Sequence, residues 1–243
     1  AFLLDWMKSP PQTNEVSRSG VIWPAFMTIA EQVGMPLRLL EVGASGGLNL
    51  NASRFSYQLG DVACGTEGSI LRLEPDWRGA GVRSHLVDVA SAEGCDINPL
   101  DPLADNDALR LRAYVWPDQA DRKKRLDAAL EIAHAHPVSV EKADAVDWLS
   151  RKLAEPAEGV CTVIYSTIAW QYLPADARDA GEDVVKQAAS KVTKHSPLAW
   201  VRFEADGQTP GANIQLQLWP EGIDTSLGRA DFHGRWVDWT GLN

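Results

Sequence analysis

Four residues suited to ligand chemistry lie at alternate positions of one short stretch: Glu41, Gly43, Ser45 and Gly47. The run that leads into them, residues 37–42, is mostly apolar and predicts a strand buried on both faces of a parallel sheet. Glycine and serine after such a strand allow a sharp turn and let a ligand approach the main chain. This order of strand, turn and helix start is typical of the ligand-binding corner of a doubly wound α/β sheet.

The details of this bend exclude a simple phosphate site. A GxxxxGK[ST] loop needs a lysine, and no lysine follows the glycine cluster. A dinucleotide fold expects GxGxxG, but Ser45 stands where the second glycine would let the backbone close on a pyrophosphate. The Glu41 carboxylate would also lie beside the phosphate charge. A ligand without phosphate fits this stretch better.

The pattern Glu-x-Gly-x-Ser-x-Gly resembles the E/D-x-G-x-G-x-G signature of class I S-adenosylmethionine-dependent methyltransferases, with Ser45 replacing the middle glycine. S-adenosylmethionine carries an amino group and a sulfonium, so we expect the Glu41 carboxylate to lie at the rim of the bend and to favour it. An ordinary glycine-rich turn of any α/β protein would show the same residues. The motif alone leaves both interpretations open.

Composition narrows the class of protein. The chain has 243 residues, enough for one α/β domain, and a formal net charge of −10, which disfavours nucleic acid as a partner. The basic run at residues 122–125 is flanked by acidic residues and predicts a solvated helix face. No apolar run is long enough to span a membrane. Three separate cysteines without a CxxC pair favour a reducing, cytoplasmic location and no metal site.

Two segments are expected. Residues 1–36 predict an N-terminal helical segment, the remnant of a longer region, with a helix end before Ser9 and a second helix from Thr13 or Asn14 to about Val33. Pro24 is expected to kink that second helix. Residues 37–243 predict the methyltransferase-like domain, with an inserted hairpin near residues 54–82.

Further strands are expected after the bend, separated by helices over 118–135 and 175–194. The strand-like stretches are 93–96, 138–141, 159–165, 197–204, 214–218 and 231–239, and the last two predict an antiparallel hairpin that closes a mostly parallel sheet. Asp96 ends the second strand and suits a ribose hydroxyl. It lies 55 residues after Glu41, against about 20 in an uninterrupted unit, and the inserted hairpin explains the excess. Asp144 suits adenine or, equally, a helix cap.

Five motifs spread over nearly the whole chain resemble those of an uncharacterised bacterial family, a domain of unknown function. They are Gln12–Val16, Val42–Leu50, Gly94–Asp101, Tyr114–Gln119 and Trp170–Leu173. The resemblance implies a methyltransferase-like fold, often preceded by a helical N-terminal region, and it implies no particular reaction.

The motifs and the expected strand ends supply the candidate site residues. For the cofactor they are Glu41, Gly43, Ala44, Ser45, Gly47, Asn49, Asp96, Asn98, Asp144 and Ala145. For the substrate they are Asn14, Arg18, Gln119, Ser166 and Gln171. Glu15 or Asp118 is the candidate general base, and Trp116 or Trp170 is the candidate aromatic face for the sulfonium. Glu15 and Arg18 also share a helix face and could pair. They either form a surface ion pair at a helix start or, together with Asn14, face the ligand corner.

The leading hypothesis is methyl transfer from S-adenosylmethionine to a small molecule or a protein group, leaving S-adenosylhomocysteine. Holding the two partners at near-attack distance supplies much of the acceleration, so a general base is optional. One alternative is a noncatalytic scaffold or regulatory module with the same fold. A second is a nicotinamide-dependent oxidoreductase. The sequence names neither the methyl acceptor nor the oligomeric state.

Overall fold

The computed structural model describes residues 12–242. The helix end expected before Ser9 lies outside this range. A 3₁₀ turn, Val16–Arg18, leads into helix α1, Ser19–Val33, which ends at Gly34 in the left-handed conformation with φ 62°. The predicted end of this helix is confirmed. Its predicted N-cap is wrong, because the Glu15 carboxylate, not Thr13 or Asn14, accepts from the Ser17 N–H.

Nine strands of the described region form one mixed, mostly parallel sheet in the order β5-β12-β11-β10-β9-β8-β1-β6-β7. Strands β7, β6, β1, β8 and β9 run parallel, whereas β9, β10, β11 and β12 are joined antiparallel and β5 pairs parallel with β12. In chain order the strands are β1 Leu37–Val42, β2 Ser56–Leu59, β3 Val62–Gly65, β4 Arg72–Leu73, β5 Asp76–Gly79, β6 Val89–Asp96, β7 Ser139–Lys142, β8 Cys161–Thr167, β9 Leu198–Glu204, β10 Ala212–Trp219, β11 Ile223–Ala230 and β12 Trp236–Trp239.

Helices cover both faces of the sheet. They are α2 Asp105–Ala113, α3 Ala120–Ala135, α4 Ala145–Lys152 and α5 Ala175–Ala189, besides α1. Alternate residues of a strand point to opposite faces. Leu37 and Leu39 accordingly pack in the core formed with α1 and α3, while Leu40 and Val42 pack in the core formed with α4 and α5. The burial of β1 on both faces explains its nearly continuous apolar sequence.

Several predicted elements differ in extent from those observed. Helix α3 begins at Ala120, not at Asp118, and α5 ends at Ala189, not near residue 194. Strand β10 forms its hairpin with β11, not with 231–239, which contributes β12. The 54–82 hairpin is confirmed in β2 and β3, but β5 leaves it to extend the edge of the main sheet beside β12. Helix α2 was not predicted, since only Ala108 and Leu111 of its residues are buried.

The winding of the sheet sets where a ligand can bind. From β1 the chain proceeds outward through β6 to β7, then returns to the other side of β1 to form β8 and β9. In open α/β sheets the carboxyl ends at such a switch point border a crevice, which here lies between β1 and β8. Within residues 12–242, none of the helices combines the length and apolar character needed to cross a membrane.

Candidate functional site

A cavity of about 620 Å³ opens at the carboxyl ends of β1, β6, β7 and β8. Its volume lies within the roughly 300–1,000 Å³ common for small-molecule sites. Residues that follow β1, β6 and β7 line one part, here called the bend half. The other part, here called the turn half, is lined by Thr167, most of residues 168–177, Phe232 and His233 from the β11–β12 turn, and Arg18. The two halves meet at the switch point between β1 and β8.

The bend after β1 is held by main-chain hydrogen bonds. The N–H groups of Gly43 and Ala44 donate to the Cys95 carbonyl at 2.9 and 3.0 Å, and the Ser45 N–H donates to Asp96 Oδ2 at 2.9 Å. Gly43 has φ +74°, and a Cβ there would lie 2.5 Å from the Cβ of Ala169. Glycine is therefore required at position 43, where the two halves of the cavity touch.

The end of β6 is tied to the bend through Asp96. Its Oδ1 accepts from the Asn98 N–H at 2.8 Å and from Gln12 Nε2 at 3.2 Å, while Oδ2 accepts from Ser45. Gln12 also donates to the Asn98 carbonyl at 2.9 Å. The Asp96 carboxylate thus borders the cavity in a fixed orientation. A ribose contact from it stays a prediction.

Asp144 ends the loop after β7 and caps α4. Its Oδ1 accepts from the N–H groups of Val146 at 2.8 Å and Asp147 at 3.2 Å, as an N-cap does. The helix-cap interpretation is confirmed. Asp144 and Ala145 also line the cavity, so an adenine contact from the same residues stays a prediction.

Glu41 lies in the protein interior, not at the rim of the bend. It is 1% exposed and does not line the cavity. Tyr165 Oη donates to its Oε2 at 3.1 Å, and burial raises the pKa of the Glu41 carboxyl to about 8. The carboxyl is therefore largely neutral at pH 7. The expectation that Glu41 offers negative charge to a ligand is wrong.

Arg18 connects distant parts of the turn half. The side chain is 8% exposed; Nη1 donates to the Thr167 carbonyl and Nε to the Phe232 carbonyl, both at 2.9 Å. The remaining terminal nitrogen, Nη2, donates to none of the residues from 12 to 242. Because Arg18 lines the cavity, it places a buried positive charge with unused donors against the space a ligand would occupy.

The loop after β8 holds a strained backbone. Ile168 has φ 53° and Ser45 has φ 54°; between residues 12 and 242 no other non-glycine residue has a positive φ, and both line the cavity. Such conformations cost of the order of 1–3 kcal/mol and concentrate at functional sites. The Glu204 carboxylate fixes this loop by accepting from the N–H groups of Ala169, Trp170 and Gln171 at 3.0–3.3 Å.

The mouth of the cavity is partly apolar. Ile97, Tyr172 and Phe232 line it, and all three are among the exposed large apolar side chains of the described region. His233 lies beside them, exposed, and partial burial together with the nearby Arg18 lowers the pKa of its imidazole. The ring is therefore neutral at pH 7.

The structure brings together seven of the predicted site residues. Those that line the cavity are Arg18, Gly43, Ser45, Asp96, Asp144, Ala145 and Gln171. Four more shape the bend from behind it. Asn14 Oδ1 accepts from the Leu48 N–H at 3.1 Å, Asn49 Oδ1 accepts from Ser19 at 2.7 Å, and Ala44 and Gly47 pack against strand residues.

The residues predicted for catalysis lie outside the cavity. Glu15 does not pair directly with Arg18; its Oε2 lies 2.6 Å from Arg122 Nε, in a buried ion pair. Trp170 packs edge-on against Trp200, with ring centroids 5.2 Å apart, so its ring faces the core. The remaining candidates for binding or catalysis also lie outside the cavity. Ser166 is buried in β8, and Asn98 contacts Asp96 and Gln12 through its main chain. Trp116, Asp118 and Gln119 are exposed before α3.

Sequence reasoning missed the rest of the lining. Thr167 ends β8 and Ile168 and Tyr172 lie shortly after it, where the strand pattern indicates a site but not which side chains face it. Phe232 and His233 belong to a turn between two late strands, and nothing in their local sequence indicates a ligand. Gln12 belongs to the first family-like motif, which was the one available signal.

Fold and cavity together define an α/β protein with a ligand-sized cleft at the carboxyl edge of a mostly parallel sheet. Residues 1–239 match a protein family described as "Uncharacterized protein conserved in bacteria (DUF2332)", and the chain belongs to this family. No curated protein and no solved structure matches the chain significantly. The predicted membership of an uncharacterised bacterial family is confirmed.

Proposed function

We propose that this protein binds S-adenosylmethionine in the cavity and transfers its methyl group to a small molecule. The observation that carries the proposal is the cavity itself, which lies at the switch point of the sheet and joins the glycine bend, Asp96 and Asp144 to Arg18. The parallel order β7-β6-β1-β8-β9 supports a class I methyltransferase type of fold. In this chain the antiparallel strands β9 to β12 extend such a sheet on one side.

Hydrogen bonding in the bend disfavours a pyrophosphate. A phosphate cradle needs unoccupied main-chain N–H groups. Here the N–H groups of Gly43, Ala44, Ser45 and Gly47 already donate to protein oxygens. No lysine lines the cavity formed by residues 12–242. A nicotinamide dinucleotide therefore fits less well than a nucleoside without phosphate.

The charges of the cavity suit the two ends of S-adenosylmethionine. In the proposed orientation the nucleoside lies in the bend half, where Asp96 and Asp144 offer acceptor oxygens to hydroxyl and amino groups. The amino-acid end extends across the bend to the turn half. There the Nη2 donors of Arg18 bind its carboxylate, since a hydrogen bond from a guanidinium to a carboxylate is strengthened by the two charges.

The acceptor enters through the apolar mouth. Ile97, Tyr172 and Phe232 favour a partly apolar small molecule over a highly charged one. S-adenosylmethionine supplies an activated methyl group on a sulfonium, so the chain's main contribution is to position the acceptor. If the acceptor carries a proton, the neutral ring of His233 takes it, because this side chain has no hydrogen-bond partner between residues 12 and 242.

Calorimetric titration of the full chain tests the proposal. We expect S-adenosylhomocysteine to bind and to raise Tm, as a ligand of the native state must. NAD and ATP, titrated under the same conditions, should do neither. Binding of NAD in preference to S-adenosylhomocysteine would contradict the proposal and favour an oxidoreductase. Binding of none of the three would favour a noncatalytic role.

A further inference from the structure

A second cavity, of about 450 Å³, lies next to the first and has a different chemical character. Ser17 and Gly234 line it, while their chain neighbours Arg18 and His233 line the first cavity, so the two share this part of their walls. A Cβ on Gly234 would lie 2.6 Å from the Ser17 carbonyl oxygen. The wall between the cavities is therefore tightly packed main chain.

Four cationic side chains from three parts of the chain line this second cavity: Arg72, Lys124, Arg125 and Arg235. Two acidic residues, Glu74 and Asp121, line it as well. The protein as a whole carries a net charge of −10, so the sign of the charge on this surface is opposite to that of the whole protein. A local excess of positive charge in a concave site attracts anions.

Three of these four cations already have acidic partners. Arg72 lies 3.5 Å from Glu74, Lys124 lies 3.7 Å from Asp121, and Arg235 lies 2.7 Å from Asp231. These pairs are mostly exposed and weak individually. They leave one cation of the cavity, Arg125, uncompensated.

Arg125 has no ion-pair partner in the part of the chain from 12 to 242, and its Nε is shielded from solvent without a hydrogen-bond acceptor there. A shielded guanidinium N–H without an acceptor is costly, and no carboxylate of residues 12–242 offsets the charge of Arg125, which an anion in the cavity would balance. The structure thus distinguishes Arg125 from the other three residues of the basic run at 122–125, which all have acidic partners. Arg122 pairs with Glu15, Lys123 with Asp127 and Lys124 with Asp121.

We propose that the second cavity binds a small oxyanion, a phosphate or carboxylate group of a small molecule, with Arg125 as its principal ligand. Arginine suits this task because its planar N–H groups match the oxygens of phosphate and carboxylate. Glu74 and Asp121 restrict the ligand to a low total charge. This site is independent of the proposed methyl transfer, because it lies on the other side of the Ser17–Gly234 wall.

The test uses inorganic phosphate and acetate as probes on the full chain, titrated calorimetrically at constant ionic strength with chloride as the reference anion. The two probes separate phosphate from carboxylate recognition. We expect one of them to bind, and Arg125→Gln to weaken that binding at least about tenfold, as loss of a charged hydrogen bond does. The matched control is Lys123→Gln, which removes the same charge from the same helix outside the cavity.

Three results would overturn this assignment. They are no binding of either probe to the unaltered chain, binding that Arg125→Gln leaves unchanged, and equal weakening by Arg125→Gln and Lys123→Gln. A second variant, Arg235→Gln, guards against a folding defect at position 125. It should also weaken the probe, because Arg235 lines the same cavity from the β11–β12 turn.

Discussion

The two halves of the candidate site are built in different ways. In the bend half, main-chain groups of β1 and β6 bond to each other directly, and Asp96 locks the bend through Ser45. In the turn half, one side chain, Arg18, bonds to carbonyls that lie 149 and 214 residues further along the chain. The bend half therefore follows from adjacent parallel strands. The turn half forms only where remote segments meet.

This contrast separates what a ligand finds in each half. The bend half offers the acceptor oxygens of Asp96 and Asp144, while Glu41 is buried beneath it with its proton retained and adds no charge. The turn half offers positive charge from Arg18 and a titratable ring from His233. A molecule that spans both halves should carry hydroxyl groups that donate hydrogen bonds at one end and an anionic group at the other.

The largest effect is expected at the contact between the halves. Gly43→Val places a β-branched side chain at φ +74° and against Ala169. We expect affinity for S-adenosylhomocysteine to fall by about 100-fold or more, because strain and overlap displace the bend. Calorimetry measures the affinity, and circular dichroism checks that the variant is folded.

The control for this variant is Gly68→Val. Gly68 has a similar φ, +72°, but a Cβ there meets nothing within 4 Å. It carries the backbone strain without the contact and should bind normally. Unchanged binding by Gly43→Val would place the ligand elsewhere.

Arg18→Met addresses the turn half alone. We expect affinity for S-adenosylhomocysteine to fall roughly 10–100-fold, since a charged hydrogen bond to its carboxylate is lost. Methylthioadenosine has the same nucleoside without the amino acid, and its affinity should change by no more than about twofold. Arg54→Met, at an exposed arginine outside the cavity, is the control. Equal losses for both ligands would show that Arg18 acts only by shaping the cavity.

Glu41→Gln probes the interior beneath the bend half. Below about pH 4.5 the carboxyl is protonated in both states, but between 4.5 and about 8 only the folded state keeps the proton. Stability should therefore decline over this window as pH rises, by on the order of 4 kcal/mol, and then level off. Nearby Tyr165, Arg18 and Asp96 act on the same carboxyl.

Glutamine keeps the acceptor for Tyr165 and cannot ionise. The variant should match the unaltered chain near pH 4.5 and exceed its free energy of unfolding at pH 8–9, measured by denaturant titration. The exposed control Glu67→Gln should keep the original pH dependence. Identical profiles for Glu41→Gln and the unaltered chain would mean that Glu41 is ionised in the fold.

The smallest effect is expected for His233→Gln. The ring lies at the mouth of the turn half without a hydrogen-bond partner in the described region. Affinity for S-adenosylhomocysteine should change by no more than about twofold. Proton NMR of the unaltered chain should give a His233 pKa below its ordinary 6.5. A higher value would remove it as a proton acceptor at neutral pH.

The sequence predicts the bend half well because its signals are local. Strands β1 and β8 appear as apolar runs, the bend follows β1 directly, and Asp96 marks the end of β6. The environment of Glu41 was not predictable, since it depends on Tyr165, 124 residues away. The local sequence around an acidic residue in an apolar strand is the same whether its side chain faces a ligand or a hydroxyl in the core.

Trp170 shows the same limit in the turn half. Its position just after β8 predicts a side chain at the ligand edge. The left-handed residue Ile168 and the 3₁₀ turn Trp170–Tyr172 instead direct the ring into the core. There a Cβ on Gly181 would lie 2.5 Å from the ring, so Gly181 is what makes room for it. Neither the turn geometry nor the remote glycine is visible in a local pattern.

The hydrogen bonds of Arg18 also affect the stage of synthesis at which the protein becomes able to bind a ligand. A nascent chain that has reached β8 possesses the glycine bend and both acidic strand ends, yet Arg18 still lacks its acceptor, the Phe232 carbonyl in the β11–β12 turn. We expect ligand capture to begin only after the β11–β12 turn has left the ribosome. Arg18 thereby completes its hydrogen bonds only once Phe232, 214 residues further along the chain, has been made.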